Sequence, residues 1–404
     1  MDRRRACKVQ SVLHPSLILQ RKRRSAAASH SRKAPLSAPQ RPGPSKNLSA
    51  PHDASTLQGP DAPQQPDTPT KADASQDAAP QSTAYPAATG PRRYTVSVAL
   101  PGSIVANAQG LELKTLLAGQ IARALATFSV DEVVVFDDSP APRTHAAFEA
   151  HGGASDPCVF LVHLLRYIET PHPNPARYLR KALFPIHRDL RFAGLLNPLD
   201  APHHLRADQH LPYREGITLA PPPPPAPPVP ADCTLVDAGL RRRALVAQAI
   251  RPGLRVTLAL DAPHTHPHYV PAAVVSPAAP RKTMGYYWGY AVRFAPSLSA
   301  VFLESPHRRG YDLTIGTSER GVPLDDVVGQ LPRFHHLLVV FGGLAGLEAA
   351  VHADDRLAFA ADAPALFDAW VNVCPAQGCR TIRTEEALPI TLAQLRTHIA
   401  RCGI

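Results

Sequence analysis

The chain has 404 residues, 44% of them hydrophobic, with six cysteines spread along its length, which is enough for two or three folded units and too scattered for a disulfide framework. Its longest apolar run, Leu337 to Val351, is broken by glycines and Glu348 and falls short of the roughly 20 residues a bilayer requires, so no membrane partner is expected. The net charge of +10 is mostly a property of the first 90 residues, where 13 Lys and Arg face 6 Asp and Glu and leave a balance of only +3 for the remainder.

Residues 1–90 also hold 12 of the 45 prolines and a single aromatic, Tyr85. Such a segment buries too little apolar area to offset chain entropy, so a disordered basic tail is expected over 1–91. The runs Arg3 to Arg5 and Arg21 to Arg24 suit nuclear import, RNA contact or a solvated tail. The Arg-, Ser- and Ala-rich first 33 residues, with Asp2 as their one acid, also fit an organelle transit peptide, which ranks second.

From Tyr94 to Leu100 the residues alternate as in a strand, Leu111 to Phe128 has helical spacing, and Glu132 to Phe136 is a second strand. That order is a βαβ unit, which predicts a parallel sheet in the part spanning 92–213. Helical spacing returns over Val159 to Ile168 and Arg177 to Leu183, the latter preceded by Pro175. Residues 214–295 carry short apolar runs, such as Leu254 to Leu260 and Tyr287 to Arg293, between Pro, Gly and Asp, and predict an inserted small β-barrel. The polyproline run Pro221 to Pro225 must be an extended, solvated loop. Over 296–404 the α/β texture resumes with strands at Tyr311 to Ile315 and His336 to Phe341 and a helix from Leu388 to Ala400.

Three segments near strand ends hold residues out of place in a core: Gly316 to Gly321, Phe341 to Gly343, and Asn372 to Glu386. Ligands of open α/β sheets sit beyond the carboxyl ends of strands, and glycines there admit a ligand to the backbone. Neither a dinucleotide-binding Gly-x-Gly-x-x-Gly nor a phosphate-loop Gly-x-x-x-x-Gly-Lys-Ser/Thr is present, which sets hydride transfer and ATP hydrolysis aside.

In this order the three segments resemble the cofactor loops of SPOUT-class RNA methyltransferases, in particular the group with an OB-fold-like insertion that modifies uridine N3 of 28S rRNA. The resemblance extends from Arg92 to Ala400 and includes Ala99 to Ser103, Gly194 to Asp200, Gly289-Tyr290 and Arg380 to Glu386. It implies an α/β fold in which a trefoil-knotted parallel sheet is interrupted by an OB-like barrel, and a homodimer with its site at the two-fold interface. S-adenosyl-L-methionine is the implied cofactor and large-subunit ribosomal RNA the implied partner. Arg320 would meet cofactor or RNA phosphate, Gly342 would admit the cofactor, and Asn372, Gln377, Gly378, Thr381 and Ile382 would cradle its adenosine.

Uridine N3 carries a weakly acidic proton, so methyl transfer to it needs a base or a cation stabilising the uridine anion. Glu385 or Glu386 is the candidate base and Arg380 or Arg383 the candidate cation, although paired acids at a helix start also serve the helix dipole. Ribose 2′-hydroxyl methylation would use the same cleft with another nucleophile. The rival function is a non-catalytic docking protein keeping the fold, because animal relatives of this class associate with spindle structures; a spindle or kinetochore partner belongs to that reading.

Cys374 and Cys379 have no second Cys or His pair beside them, so no metal centre is expected there. His264, His266 and His268 could ligate a metal but are expected to decorate a barrel loop, and His203-His204 serve either RNA contact or a turn. The aromatics Tyr286, Tyr287, Trp288 and Tyr290 are candidates for base stacking with Arg293 and Arg281-Lys282 on phosphates; Tyr287, Trp288 and Arg293 are the favoured RNA contacts. A nuclear or nucleolar location is expected, with cytoplasm or spindle as the alternative.

Overall fold

The protein is described by a computed structural model over residues 90–141, 143–150, 156–171, 177–184, 187–221, 229–230, 232–260, 268–357 and 362–404. The basic tail, the polyproline run after Pro221, and His264 and His266 lie outside the described residues.

Six strands, β1 (Thr95–Pro101), β2 (Glu132–Phe136), β8 (Ala291–Ala295), β9 (Leu313–Pro323), β10 (His336–Val340) and β11 (Ala369–Asn372), form one sheet in the order β11-β9-β10-β1-β2-β8. Every adjacent pair is parallel, as the βαβ reading requires. A parallel sheet is covered on both faces, so successive side chains enter different cores. Val96, Val98, Leu100, Val133, Val135, Leu337 and Val339 face the helices Leu111–Thr127, Pro157–Glu169 and Thr384–Cys402. Ala99, Val134, Phe136, Leu338 and Val340 face the helices Leu298–Leu303 and Gly346–Ala353. Each such aliphatic side chain contributes roughly 1.5–3 kcal/mol when fully buried.

The helix Pro157–Glu169 starts where it does because Asp156 caps it, accepting the N–H groups of Cys158 and Val159 at 2.8 and 3.1 Å, with Pro157 in the first turn. Its far end carries Glu169 to the seam with the barrel.

The barrel closes in the order β3-β4-β5-β7-β6, from β3 (Tyr213–Thr218), β4 (Thr234–Asp237), β5 (Ala244–Val246), β6 (Arg255–Leu260) and β7 (Val270–Val275). The β5–β7 pair is parallel and the other four are antiparallel, and closure removes the free edges that invite foreign strands. The Tyr287–Arg293 run, expected as a barrel strand, is corrected here: residues Ala291–Ala295 form β8, the outer strand of the parallel sheet beside β2. The last barrel strand is instead Val270–Val275, which contains Pro271. A short aromatic and β-branched run has the same local texture in both settings, and only long-range pairing separates them.

Candidate active site

The carboxyl ends of β9, β10 and β11 open into a cleft of about 260 Å³. The chain leaves β1 toward β2 and leaves β10 toward β11 on the opposite side, so β10 and β1 flank a point where the winding reverses, the place where open α/β sheets bind ligands.

The first wall is a bulge. Trp370 of β11 pairs with Gly316 of β9 and the next residue, Val371, pairs with Val322, so Thr317 to Gly321 are extruded from the sheet edge. The two glycines mark where the chain leaves and rejoins its neighbour. A Cβ on Gly316 would sit 2.6 Å from the Trp370 ring, and one on Gly321 would sit 2.3 Å from the Val371 carbonyl carbon. Thr317, Ser318, Glu319 and Arg320 consequently line the cleft.

The second wall is the turn after β10, where Phe341, Gly342, Gly343, Leu344 and Ala345 lead into the helix Gly346–Ala353. The third follows β11 and contributes Asn372, Val373, Gln377, Thr381, Ile382 and Thr384. Side chains lock the walls together: Asn372 Nδ2 donates to the Glu319 carbonyl at 2.9 Å, Thr384 Oγ1 to the Gly342 carbonyl at 2.8 Å, and Ser318 Oγ to Glu348 at 2.9 Å. Loops fixed in this way present a preformed binding surface.

Of the cofactor residues expected from sequence, Arg320, Gly342, Asn372, Gln377, Thr381 and Ile382 come together in the cleft; Gly378 is adjacent in the third loop but does not line it. Arg320 is exposed and makes no ion pair among the described residues. Asn372 is committed to holding loops, since its Oδ1 also accepts the Cys374 N–H at 3.0 Å.

The expected catalytic residues lie elsewhere. Glu385 is buried, with its carboxylate 3.8 Å from Arg383 Nη1, and Glu386 accepts the Arg383 N–H at 2.9 Å as a helix cap. Arg380 and Arg383 are exposed and are not among the residues lining the cleft, although their neighbours Thr381, Ile382 and Thr384 are. The charges that do line the cleft are Glu319, Arg320 and Glu348. A further acid, Asp138, packs behind the second wall without lining the cleft: a Cβ added to Gly343 would lie 3.3 Å from its Oδ2. Asp138 follows β2 and is held by Ser103, whose Oγ and N–H donate at 2.5 and 3.3 Å. Sequence reading passed over Ser103, Asp138 and Glu348, although Asp137-Asp138 at the end of a buried apolar strand was the available signal.

The expected RNA contacts are also corrected. Trp288 is buried and donates Nε1 to Glu215 at 2.7 Å, and Arg293 pairs with Glu132 and donates to the Val301 carbonyl. The Tyr287 ring packs on the sheet core with its hydroxyl buried, and that burial pushes its pKa well up. Arg281 donates to the carbonyls of Arg92, Arg93 and Tyr94, and His203 and His204 are buried with Nε2 on the Glu169 carbonyl. Trp288 thus ties the sheet domain to the barrel, while Arg293 is spent within the sheet domain. Trp288→Phe, which leaves the Glu215 carboxylate short of a donor, is expected to cost about 1–3 kcal/mol in denaturant unfolding with unchanged RNA affinity.

A family model described as "Putative RNA methyltransferase" matches residues 95–395, from the first residue of β1 into the last helix and through the barrel. A Homo sapiens protein named 28S rRNA (uridine-N(3))-methyltransferase is 51% identical over 316 residues, covering 77% of this chain and 80% of that protein. The Drosophila melanogaster protein of the same name is 44% identical over 318 residues, 76% of this chain and 63% of its own length. An uncharacterised Halobacterium salinarum protein is 29% identical over 321 residues, 74% of this chain and 98% of its own length. With a parallel sheet, an inserted barrel and a three-walled cleft inside the matched region, the chain belongs to this family of RNA methyltransferases.

Proposed function

We propose that the chain transfers a methyl group from S-adenosyl-L-methionine to N3 of a uridine in large-subunit ribosomal RNA. The observation that carries the reading is the convergence of the three separate loops on one cleft inside a region half identical to a protein named for that reaction. On this reading the loops belong to a trefoil knot, the barrel is an OB-like module, the protein works as a homodimer, and the nucleolus is its place of action.

The cleft suits the cofactor's chemistry. A Cβ on Gly342 would collide with the backbone of Gly346 and Leu347, so the glycine lets the second wall close tightly on itself, while Glu319 and Glu348 supply acceptors for hydroxyl and ammonium groups and favour a sulfonium cation. Arg320 offers a guanidinium to a carboxylate or an RNA phosphate. The bound cofactor supplies the electrophilic methyl group; the protein's part is to hold the uracil ring in line and take the N3 proton.

Asp138 is the carboxylate we assign to that proton, because it is fixed by Ser103 beside the Gly343 wall, whereas Glu385 is turned into the protein. Asp138→Asn is expected to lower kcat at least about 100-fold, within the range for loss of a general base, with cofactor affinity unchanged. Glu385→Gln is expected to leave kcat within a few-fold of wild type. The decisive assay incubates the protein with cofactor and unmodified large-subunit RNA and identifies the nucleosides by mass spectrometry. Appearance of 3-methyluridine supports the reading, and 2′-O-methyluridine or no methylated uridine overturns it.

A further inference from the structure

On the barrel side of the sheet, away from the three-loop cleft, His163, His187 and Asp189 bring one ligand atom each within 4.8 Å of one another. His163 projects from the helix Pro157–Glu169, and the other two come from the segment that begins the 3-10 turn Arg188–Leu190. The Asp189 side chain is fully buried, and neither carboxylate oxygen has a hydrogen-bond partner. A buried ionised carboxylate left in that condition is costly unless a cation compensates it. The two imidazoles do not do so as donors, because His187 Nδ1 and His163 Nδ1 stand 3.4 and 3.8 Å from Asp189 Oδ2, beyond good hydrogen-bond length. The His187 Nδ1 instead accepts the Asp189 N–H at 3.2 Å, a bond that ligation of an ion through this atom would replace.

These separations have the scale of a metal's coordination shell. Zinc–nitrogen and zinc–oxygen bonds are about 2.0–2.2 Å, which puts the ligand atoms of a tetrahedral site roughly 3.3–3.6 Å apart. Two imidazoles with one carboxylate select a borderline transition metal over calcium or magnesium.

We propose that His163, His187 and Asp189 form a binding site for one divalent transition-metal ion of the zinc class. Small closures of the two histidines bring three protein ligands onto the ion and leave a fourth position for water. His163 also lines a cavity of about 1060 Å³ between the helix and the barrel, which gives the ion a route from solvent. Bound there, the metal would pin the helix that carries Glu169 to the 3-10 turn and so rigidify the seam.

The test uses full-length protein stripped of metal and titrated with zinc, then with cobalt as a spectroscopic probe. Cys374, Cys379 and Cys402 are free thiols that also bind zinc, so wild type is compared with His163→Gln, whose side chain is partly exposed, and with Asp189→Asn. Wild type should bind one more zinc equivalent than either variant, with at least 100-fold higher affinity at that site. Its cobalt form should show the visible bands of a low-coordinate site without thiolate charge transfer. If Asp189→Asn fails to fold, His163→Gln decides alone. Equal stoichiometry and affinity in wild type and His163→Gln overturn the proposal.

Discussion

Gly342→Ala is expected to lower affinity for S-adenosyl-L-methionine at least about 100-fold in calorimetric titration, with the protein still folding cooperatively. The added Cβ would lie 2.4 Å from the Leu347 nitrogen and 2.6 Å from the Gly346 carbonyl carbon. Both are backbone atoms, one of them in the first turn of a helix, so neither can swing aside. The turn from Gly342 to Gly346 must move as a unit, which strains the Thr384 hydroxyl's bond to the Gly342 carbonyl and disturbs the third wall. A 100-fold loss equals about 2.7 kcal/mol of binding free energy. Gly378→Ala is the control: an added Cβ there meets nothing within 4 Å, and binding should stay within about two-fold. Wild-type affinity in Gly342→Ala would remove the cofactor from this cleft.

The contrast between those two glycines shows what the sequence made legible. Glycines and polar residues clustered after apolar strands located all three walls, because strands of a parallel sheet deliver their carboxyl ends to one edge whatever their order. Direction of individual side chains was not legible. Glu385 and Glu386 sit one and two residues from Thr384, which lines the cleft, yet the helical turn carries the first into the interior and the second onto the helix cap. Asp138 lies some 200 residues from Gly343 along the chain, and only the pairing of β1 with both β2 and β10 brings them together. Trp288 was read as a base-stacking ring for a related reason: aromatic residues near basic ones look alike whether they face RNA or, as here, fill a seam around a buried ion pair.

That seam is where loss of one charge should cost the most stability. Arg255 of β6 donates Nη1 to Glu169 and Nε to Glu215, each at 2.6 Å, and both carboxylates are buried. Arg255→Met keeps the aliphatic stem and leaves two buried carboxylates facing each other's field. The expected cost is about 3–5 kcal/mol in denaturant unfolding. Changing both acids with it, as Glu169→Gln and Glu215→Gln, should recover part of the loss, because no uncompensated charge then remains. Acid dependence separates this account from a simple packing defect. Burial alone would raise the Glu169 pKa above its ordinary 4.5, but Arg255 and His203 together outweigh burial and hold it below that value. The native pair therefore contributes fully above pH 4.5 and fades as pH falls through the lowered pKa. His204, whose pKa burial drives well below 6.5, adds a decline that begins as pH drops under 6.5, where only the unfolded chain takes up the proton. In Arg255→Met only His203 still opposes the burial effect on Glu169 and its pKa rises, so the folded variant takes up a proton that wild type refuses. The gap in unfolding free energy between the two proteins should be widest near pH 8 and narrow toward pH 5. A gap independent of pH would assign the loss to packing and leave the ion pair no part in joining barrel to sheet.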